Sequence, residues 1–430
     1  MIGLKKAESV LNMKHGVSRK IEGPKLSSDS RICSKLLAYA ALCLLLPSML
    51  ASADGNPGWI AADCSQDTTA AFNTWIASLP DNSTIELASN ACYRLDETLN
   101  IDGKTGLTIY GNGATFKRLT PTPDSLVYPH SNMHMHISNS TNIVLKDLHI
   151  TGMNNASDLD PQSPRVKSYV FEPEKFGSSS GNKPFESGIE FSNDDGVTMQ
   201  NLSIDGTYGD GITIGGEAAS LLVKNLTATN IRIDRNGRQA VSLVAAENVV
   251  LDKIQALHSH AVGFDLEPNG ATASVSGVKI RNSYVNTYTV AFSLAGGAGK
   301  VSNIDIHNNT VRSTDPAFPW LSGENAAPDP LRQNWRILNN LVQIPSLGIV
   351  VSNILNVAVE KNVSPITKGY SAVTLNNVTG TIVIAHNDFS GAGNVNKNIS
   401  VDGSLRICGN RLQPDGGFDQ PERCSSLTRF

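Results

Sequence analysis

The stretch Arg238–Asn269, RQAVSLVAAENVVLDKIQALHSHAVGFDLEPN, contains two short runs in which apolar and polar residues alternate. The first run is Ala240–Val244 and the second is Gly263–Glu267, and in each run the second and fourth residues are apolar. Alternation with a period of two is typical of a strand that buries one face. The third residues, Ser242 and Asp265, are 23 positions apart, so the stretch predicts a repeating unit that contains one such strand.

A triplet made of an apolar residue, a polar residue and usually asparagine recurs along the chain from Gly106 onward. Its copies begin at Leu145, Met199, Val223, Leu251, Ile280, Ile306 and Ile337, with looser copies at Val359, Ile384 and Ile407. From Met199 onward, successive copies are 22 to 31 residues apart. A period in this range indicates stacked supersecondary units, and the β-branched residues exclude helical repeats. The pattern therefore predicts an all-β fold, a parallel β-helix with one coil per repeat.

The third residue of each triplet is predicted to lie in a tight turn. Asparagine tolerates a left-handed backbone, and its side-chain amide can bond to the same residue one rung away. We therefore expect a ladder of turn residues that includes Asn201, Asn225, Asn282 and Asn308.

Three segments depart from the repeat. Asp67–Leu79 has apolar residues at helical spacing and precedes a proline, which predicts a short helix that caps the N-terminal end of the stack. The segments 154–186 and 314–334 lack the strand pattern, so we expect loop insertions there. The second insertion holds Trp320 and is followed by Trp335, whose rings we expect to offer a stacking surface for a sugar.

The first 53 residues are predicted to be a signal peptide, and residues 54–430 a single domain. Lys35–Leu46 is an apolar run behind a basic leader, and Ala51–Ala53 forms an A-x-A cleavage signal. An uncleaved anchor is the alternative, although the run is short for a membrane span. We expect a secreted or periplasmic protein without a stable membrane anchor. The net charge of −4 argues against nucleic acid as a partner, because phosphate binding favours a basic surface.

Four cysteines remain after the predicted cleavage, and an exported compartment permits disulfides. Their positions suggest the pairs Cys64–Cys92 and Cys408–Cys424, although four cysteines allow three connectivities. Metal binding is the alternative, but the chain contains no C-x-x-C motif. We predict neither a metal nor a cofactor.

The alternating strands place one outward residue on each rung of the stack. These residues are His136, Glu190, Thr213, Ser242, Asp265, Ser293, Val350 and Thr374. Acidic residues lie in the middle of this column, so the middle rungs are the candidate site.

Asp265 and Glu267 are the first candidates for catalysis. Residues i and i+2 of a strand lie about 6.5–7 Å apart on one face, near the lower limit of the carboxyl separation in inverting glycosidases. One carboxyl then protonates the leaving oxygen while the other activates water. Arg238, one rung away, is predicted either to neutralise a substrate carboxylate or to act as the base in a β-elimination. The alternative is structural, with Asp265 and Arg238 forming an ion pair and Glu267 shaping a turn.

Six further residues are predicted to contact the substrate, because they lie on the same rungs or in the turns before them. They are Glu190, Asp210, Tyr208, His258, His260 and Gln239. Glu190 is expected three rungs from Asp265, or about 14 Å, which suits a neighbouring sugar and not a direct pair. For the two histidines, hydrogen bonding within a turn is the alternative.

With these features the chain resembles the pectate-lyase-like superfamily of right-handed parallel β-helix proteins, over roughly Thr84–Leu412. The resemblance rests on the repeat length, the asparagine turns, the capping segment and the signal peptide. The segments R-Q-x-V-S and G-x-D-x-E-P-N are also similar to an arrangement in bacterial members. The resemblance implies a right-handed coil and a polysaccharide partner. The superfamily includes polysaccharide lyases, glycoside hydrolases, uronan epimerases, phage tailspikes and exopolysaccharide-biosynthesis proteins.

The chain departs from the motifs of three subfamilies. Asn193–Gly196 (NDDG) occurs without the G-H-G of polygalacturonases and is predicted to lie in a turn. The D-P-H-D of mannuronan epimerases and the W-x-D-H of calcium-binding pectate lyases are absent from the sequence. Our interpretation is an exported enzyme that cleaves glycosidic bonds, with hydrolysis favoured by the carboxylate pair and lyase chemistry preferred if the substrate is a uronan. The alternative is a non-catalytic polysaccharide-binding or export factor of an exopolysaccharide pathway.

The leader predicts a mature protein that begins near Asp54, and the four remaining cysteines predict that it has no free thiols. Intact-mass spectrometry of the exported protein, with and without an alkylating reagent, is expected to show the shortened chain without added label. A retained leader, or four alkylated cysteines, would contradict this prediction.

Overall fold

The computed structural model describes the following residues: 52–53, 57–120, 133–154, 187–294, 298–313, 318–323, 332–398 and 400–412. Over these residues the chain winds into a right-handed parallel β-helix of about 11 turns, which confirms the predicted fold class. Most of the predicted leader and of the insertion 154–186 lies outside the described residues. The boundary between leader and domain therefore stays a prediction.

The strands pair in parallel from one coil to the next. Those of the first coils are β1 (Ser52–Ala53), β2 (Asp63–Asp67), β3 (Thr84–Glu86), β4 (Cys92–Arg94), β5 (Leu99–Asp102), β6 (Thr108–Lys117), β7 (Met135–Ser138), β8 (Val144–Thr151), β9 (Ile189–Ser192), β10 (Thr198–Gln200), β11 (Ser203–Asp205), β12 (Ile212–Ile214), β13 (Val223–Lys224) and β14 (Thr227–Asp234). A short 3-10 helix, Ala219–Leu221, lies between β12 and β13.

The remaining strands continue the same stacks. They are β15 (Val241–Leu243), β16 (Ala246–Glu247), β17 (Val250–Ser259), β18 (Val262–Leu266), β19 (Ser274–Arg281), β20 (Tyr284–Thr287), β21 (Val290–Ser293), β22 (Lys300–His307), β23 (Thr310–Ser313), β24 (Leu321–Gly323), β25 (Arg332–Leu338), β26 (Leu341–Val342), β27 (Ile349–Glu360), β28 (Ser371–Ala385), β29 (Asn394–Asn398) and β30 (Val401–Cys408). The longer strands, such as β27 and β28, run through two faces of the coil.

One stack of strands carries the outward residues that the alternation predicts. It consists of β5, β7, β9, β12, β15, β18, β21 and β24, followed by the first parts of β27 and β28. The register aligns all eight predicted residues and inserts Ser322 between Ser293 and Val350. We call the resulting set the outer column: His136, Glu190, Thr213, Ser242, Asp265, Ser293, Ser322, Val350 and Thr374.

Ser322 lies in β24, so the segment 314–334 is not the single loop insertion that the sequence predicted. Both β24 and the start of β25 are regular rungs of the coil. The alternation was not visible because β24 is only three residues long and ends at a glycine. That glycine, Gly323, is required because a Cβ atom there would lie 2.7 Å from the Trp335 ring.

Trp320 and Trp335 are fully buried, which corrects the expectation that they offer a stacking surface to a sugar. Their rings fill the apolar interior of the coil, where Trp320 meets Phe292 edge to face with 6.1 Å between ring centroids. Among the exposed aromatic side chains are Phe318 (38%) and Tyr370 (52%). They lie in the turns before β24 and β28, so both are close to the outer column in the chain.

The helix α1 (Thr69–Ser78) caps the N-terminal end of the coil, as predicted. Its buried Phe72 meets Tyr93 and Phe116 edge to face, with ring centroids 5.1 Å and 5.5 Å away. These contacts close the apolar interior at the first rungs. The helix ends because Leu79, the residue before a proline, is extended, and a following proline disfavours the helical conformation.

The third residue of the triplets has a left-handed backbone, as predicted. One residue of the predicted ladder, however, lies in a different turn column from the others. Asn201, Asn282 and Asn308 have φ angles of 56°, 53° and 58° and lie in one turn column. Asn225 also has a positive φ, 53°, but β13 places it in a second turn column. Its place in the first column belongs to Asn230, whose amide donates to the Asn201 side chain at 2.8 Å. The triplet in β13 resembles the others because both turns of a coil need a left-handed residue.

A continuous ladder of buried amides lies one residue beyond the turn residues, and the sequence did not predict it. It consists of Asn309, Asn340, Asn362, Asn387 and Asn410. The side-chain NH2 of each of the first four donates to the side-chain carbonyl on the next rung at 2.9–3.0 Å. The side-chain NH2 of all five also donates to a backbone carbonyl at 2.8–3.0 Å. The preceding residue of each copy takes the left-handed turn, so the asparagine that follows it faces the interior and must bond there.

Cys64 and Cys92 form a disulfide, which confirms the first predicted pair and joins β2 to β4. Cys408 is also disulfide-bonded, whereas its predicted partner Cys424 lies outside the described residues. Among the helices that the structure describes, none is long and apolar enough to cross a membrane.

Asn362→Ala is expected to lower the free energy of unfolding by at least about 3 kcal/mol, because it leaves several buried donors and acceptors without partners. The matched control is Asn308→Gly, at an exposed turn position where glycine keeps the positive φ. We expect this control to stay within about 1 kcal/mol of wild type. Urea denaturation measures both values, and equal destabilisation by the two changes would contradict the ladder.

Candidate functional site

The candidate carboxylates lie together because the parallel register stacks residues that are 23 to 29 positions apart in the chain. Thr213, Ser242 and Asp265 are direct partners on three successive rungs. The inward neighbours of Asp265, Phe264 and Leu266, are fully buried in the apolar interior. Shifting this strand by one residue would expose both of them, so the core forces Asp265 to face outward.

Asp265 is only 8% exposed and is held by two side-chain hydrogen bonds. Gln239 Nε2 donates to Asp265 Oδ2 at 3.2 Å, and the Ser293 hydroxyl on the next rung also bonds to this carboxyl. Burial raises the pKa of Asp265, and the negative charge of Asp210 acts in the same direction. The two hydrogen bonds and the charge of Arg238 oppose this rise in pKa, because they stabilise the carboxylate.

Glu267 follows the end of β18, and its side chain is 19% exposed. Burial raises the pKa of Glu267 to about 7, and the charges of Asp265 and Asp210 add to the rise. Arg238 and a hydrogen bond from Asn269, 3.4 Å between Nδ2 and Oε2, lower the pKa by less than burial raises it. A carboxyl that keeps its proton near neutral pH therefore lies next to a second, hydrogen-bonded carboxyl.

Arg238 lies between two carboxylates. Its Nε is 3.6 Å from Asp210 Oδ1, and its Nη2 is 3.8 Å from Glu267 Oε1. The turn that carries it is tight, since a Cβ atom at Gly237 would lie 2.2 Å from the Tyr208 carbonyl oxygen. The glycine allows this close approach, and the arginine then bridges the rung of Asp210 and the rung of Glu267.

Asp210 is 3% exposed and connects several parts of the site. Its Oδ1 accepts the Gln239 backbone N–H at 3.2 Å, and its Oδ2 accepts the hydroxyls of Ser242 at 2.9 Å and Thr213 at 3.2 Å. Its negative charge raises the pKa of three other acids: Glu190, Asp265 and Glu267. Asp210 therefore orients the turn that carries Gln239 and also sets the electrostatic potential of the site.

Glu190 lies three rungs from Asp265, at the place that the alternation predicts. Burial raises the pKa of Glu190 to about 7, with a smaller contribution from the charge of Asp210. His136 precedes it by one rung, and His136 Nε2 is 2.7 Å from Ser192 Oγ. Burial also lowers the pKa of His136, so its ring is neutral near neutral pH. These groups form the N-terminal end of the polar part of the outer column.

His258 belongs to a different group of residues. Its Nδ1 bonds to Asp234 Oδ1 at 2.8 Å, and its ring centroid is 6.4 Å from that of Tyr288. Asp234 also binds Arg232 on the same strand. Hydrogen bonding near a turn was the alternative for this histidine, and these contacts favour it.

Tyr208 and His260 lie in the turns that precede β12 and β18. The Tyr208 hydroxyl donates to the Met153 carbonyl at 3.2 Å, in the direction of the N-terminal rungs. The His260 backbone N–H donates to the Asn236 carbonyl at 3.0 Å. Both residues therefore border the rungs of the site.

Four side chains bond to the carboxyls although the sequence analysis did not predict these bonds: Thr213, Ser242, Ser293 and Asn269. The two serines were visible as members of the outward column, and Asn269 ends the G-x-D-x-E-P-N segment. Their partners depend on the register between rungs, which spacing alone does not specify. In the part of the chain that the structure describes, no group of three or more His, Cys, Asp or Glu residues has the arrangement of a metal site.

The family model of the right handed beta helix region matches residues 175–329. No curated protein sequence matches the chain. Among solved structures, the surface protein and adhesin PfbA of Streptococcus pneumoniae matches with a TM-score of 0.54 and 13% identity, over 83% of this chain and 96% of that one.

Two enzymes also match. A family 28 exopolygalacturonase of Yersinia enterocolitica has a TM-score of 0.49 and 12% identity, over 84% of this chain and 78% of that one. An alginate lyase from Paenibacillus sp. has a TM-score of 0.43 and 12% identity, over 81% of this chain and 99% of that one. At such identities the likeness concerns the fold alone. The chain therefore has a right-handed parallel β-helix fold, which is the fold that the resemblance implied.

Proposed function

We propose that the protein is an exported enzyme that hydrolyses glycosidic bonds of a polysaccharide bound along the outer column. The observation that carries the proposal is the pair Asp265 and Glu267, two partly desolvated carboxyls of one rung with raised pKa values. Carboxyls perturbed in this way, facing outward from a core that does not need them, are typical of acid–base sites. The Cys64–Cys92 disulfide supports export, because disulfides persist in oxidising compartments.

Glu267 is assigned as the general acid, because its pKa of about 7 lets it carry a proton near neutral pH. It gives this proton to the glycosidic oxygen as the bond from that oxygen to the anomeric carbon breaks. Asp265 is assigned as the general base, because Gln239 and Ser293 hydrogen-bond to its carboxyl and oppose the rise in pKa that burial causes. It takes a proton from a water molecule whose oxygen forms the new bond to the anomeric carbon. A carboxyl separation equal to the strand spacing of residues i and i+2, about 6.5–7 Å, would lie at the lower limit of the range for inversion and leave room for that water.

Three residues around the pair are assigned as positioning groups. Gln239 holds the Asp265 carboxylate, and Asp210 holds Gln239 through its backbone N–H. Arg238 lies against Asp210 and Glu267, where its charge limits the repulsion among the carboxylates. We propose that Glu190 contacts a sugar three rungs from the scissile bond.

β-Elimination on a uronan is the competing chemistry. It needs a base and a group that neutralises the substrate carboxylate, and Arg238 is the candidate for both roles. Because Arg238 lies within 4 Å of Asp210 and Glu267, its charge is shared by the protein's own carboxylates. This arrangement favours hydrolysis over elimination.

A non-catalytic role in polysaccharide binding or export is the second candidate function. It is favoured by the hydroxyl side chains that continue the outer column beyond Asp265, namely Ser293, Ser322 and Thr374. Such side chains bind sugar hydroxyls without contributing chemistry. The structural match to an adhesin is compatible with this role. The two candidates share the bound polymer and differ in turnover.

Asp265→Asn and Glu267→Gln are each expected to reduce turnover of a cleaved polysaccharide by about a hundredfold or more, a size typical of general acid–base groups. Both amides keep the shape of the side chain, so polymer binding should persist. The matched control is Glu247→Gln in β16, on another face of the coil, which should retain full activity. Reducing-end release measures turnover, and circular dichroism checks the fold.

Two outcomes would contradict the assignment. Full turnover by both variants would move the site elsewhere, and Glu190 would be the next carboxyl to change. A wild-type protein that binds a polymer at the outer column and never cleaves it would favour the binding role.

The pKa of Glu267 also predicts the pH dependence. A general acid works in its protonated form, so kcat/KM should fall about tenfold per pH unit above roughly pH 7, where this carboxyl ionises. The pH at which kcat/KM begins to fall depends on the groups that face Glu267, namely Asp265, Asp210, Arg238 and Asn269. Because Glu190 also has a pKa of about 7, the control is Glu190→Gln, in which kcat/KM should still fall above about pH 7. If kcat/KM no longer falls at alkaline pH in Glu190→Gln, the general acid is Glu190 and the assignment of Glu267 is wrong.

A further inference from the structure

The described side chains around the site are dominated by acidic groups, and two of these carboxyls, Glu190 and Glu267, become charged as the pH rises through about 7. The site contains one arginine, Arg238, and four carboxyls: Glu190, Asp210, Asp265 and Glu267. Along the outer column, the first cation beyond Asp265 is Lys397, which pairs with Thr374 at the far end of the stack. That position is five rungs from Asp265, or about 24 Å, so it does not offset the charge at the site.

The charge of Arg238 is already shared within the protein. Its guanidinium is 3.6 Å from Asp210 and 3.8 Å from Glu267, and it lowers the pKa of both Asp265 and Glu267. A substrate carboxylate that bound this guanidinium would have to displace either Asp210, which is buried, or Glu267, which is partly exposed. The carboxylate left behind would then remain in a low-dielectric place without its counter-charge, which is costly.

A uronate at this site also meets direct repulsion. An anionic sugar bound between Glu190 and Glu267 would place its charge next to Asp210 and Asp265, which are both buried and poorly screened. Like charges brought together in this way cost several kcal/mol. A neutral sugar offers hydroxyl groups, and carboxylates accept hydrogen bonds from these without such a cost.

The side chains of the neighbouring rungs also favour a neutral sugar over a uronate. Beyond Asp265 the column presents the hydroxyls of Ser293, Ser322 and Thr374, which carry no charge. Phe318 and Tyr370 are exposed in the turns that lead into two of these rungs, and apolar ring faces suit the C–H faces of uncharged sugars.

We infer that the outer column binds a neutral polysaccharide and discriminates against uronans, because its carboxylates already occupy the site's arginine. The inference rests on the proposed function and narrows its substrate class. It is carried by the ion pairs of Arg238 and by the composition of the outer column.

The test compares neutral polymers with matched anionic partners. The probes are a neutral glucan with its carboxymethyl derivative, and a neutral galactan with polygalacturonate. Binding is measured by isothermal titration at low salt and about pH 8 with Asp265→Asn, which slows turnover of the polymer and keeps both ion pairs of Arg238. We expect at least about tenfold tighter binding of the neutral member in at least one pair. Added salt should narrow the gap, because it screens the repulsion.

The control variants identify which charges cause the difference in affinity between neutral and anionic polymers. In the Asp265→Asn protein, adding Asp210→Asn should narrow the gap in affinity between neutral and anionic polymers, whereas adding Glu247→Gln should leave this gap unchanged. Tighter binding of the anionic member, lost in Arg238→Gln, would overturn the inference and make Arg238 a uronate ligand. Equal affinity for both members would also overturn it.

The proposed function is measured separately, by reducing-end release from the same polymers with the wild-type protein. A neutral preference in binding without any release would refute hydrolysis and leave the inference standing. Release from polygalacturonate but not from a neutral polymer would overturn the inference while supporting cleavage. Binding to none of the four polymers would contradict both.

Discussion

The parallel register between successive coils is the constraint on which the rest of the structure depends. Each strand bonds to the strand one coil earlier, so residues more than 20 positions apart become neighbours on adjacent rungs. Left-handed turn residues such as Asn225 and Asn282 allow each coil to close, and the amide ladder from Asn309 to Asn410 holds the later coils in register. The apolar interior then decides which side chains face outward.

Much of the fold could be predicted because its signals are local and repeated. Alternation identified the residues of the outer column, and the apolar pattern of Asp67–Leu79 identified the capping helix. The predictions failed where a residue's environment depends on its neighbours across rungs. Trp320 is an example, because only the stacked coils reveal that its ring lies inside. Asn308 is another, since its exposed side chain could not be told from the buried one of Asn309 by composition.

In the candidate site, too, the sequence predicts which residues lie together but not the contacts between their side chains. Spacing alone brought Asp265, Glu267 and Arg238 to adjacent rungs, and the register agrees with that placement. It did not reveal that Arg238 lies against Asp210, nor that Asp210 accepts bonds from residues of its own and the next rung. Those contacts depend on side-chain directions in a tight turn. A sequence pattern lists the groups of a site, whereas their mutual contacts decide which of them hold protons.

The buried carboxyls are costly for the folded protein, because burial disfavours their ionised forms. An ordinary structural role would pair each acid with a cation, as Arg281 pairs with Asp252 on another face. Here Asp210, Asp265 and Glu267 share Arg238, and the pKa values of Glu267 and of Glu190 further along the column are raised to about 7. Such an arrangement is a poor way to gain stability and a suitable way to hold a transferable proton.

The central claim is that a polysaccharide lies along the outer column with its scissile bond at Asp265 and Glu267. The most direct test is a crystal structure of the Asp265→Asn protein with a bound oligosaccharide of the polymer that it recognises. The account predicts a sugar chain that runs across the rungs, with a glycosidic oxygen within hydrogen-bond distance of the Glu267 carboxyl. A sugar bound at the Asp234–His258 group, or on another face of the coil, would contradict it.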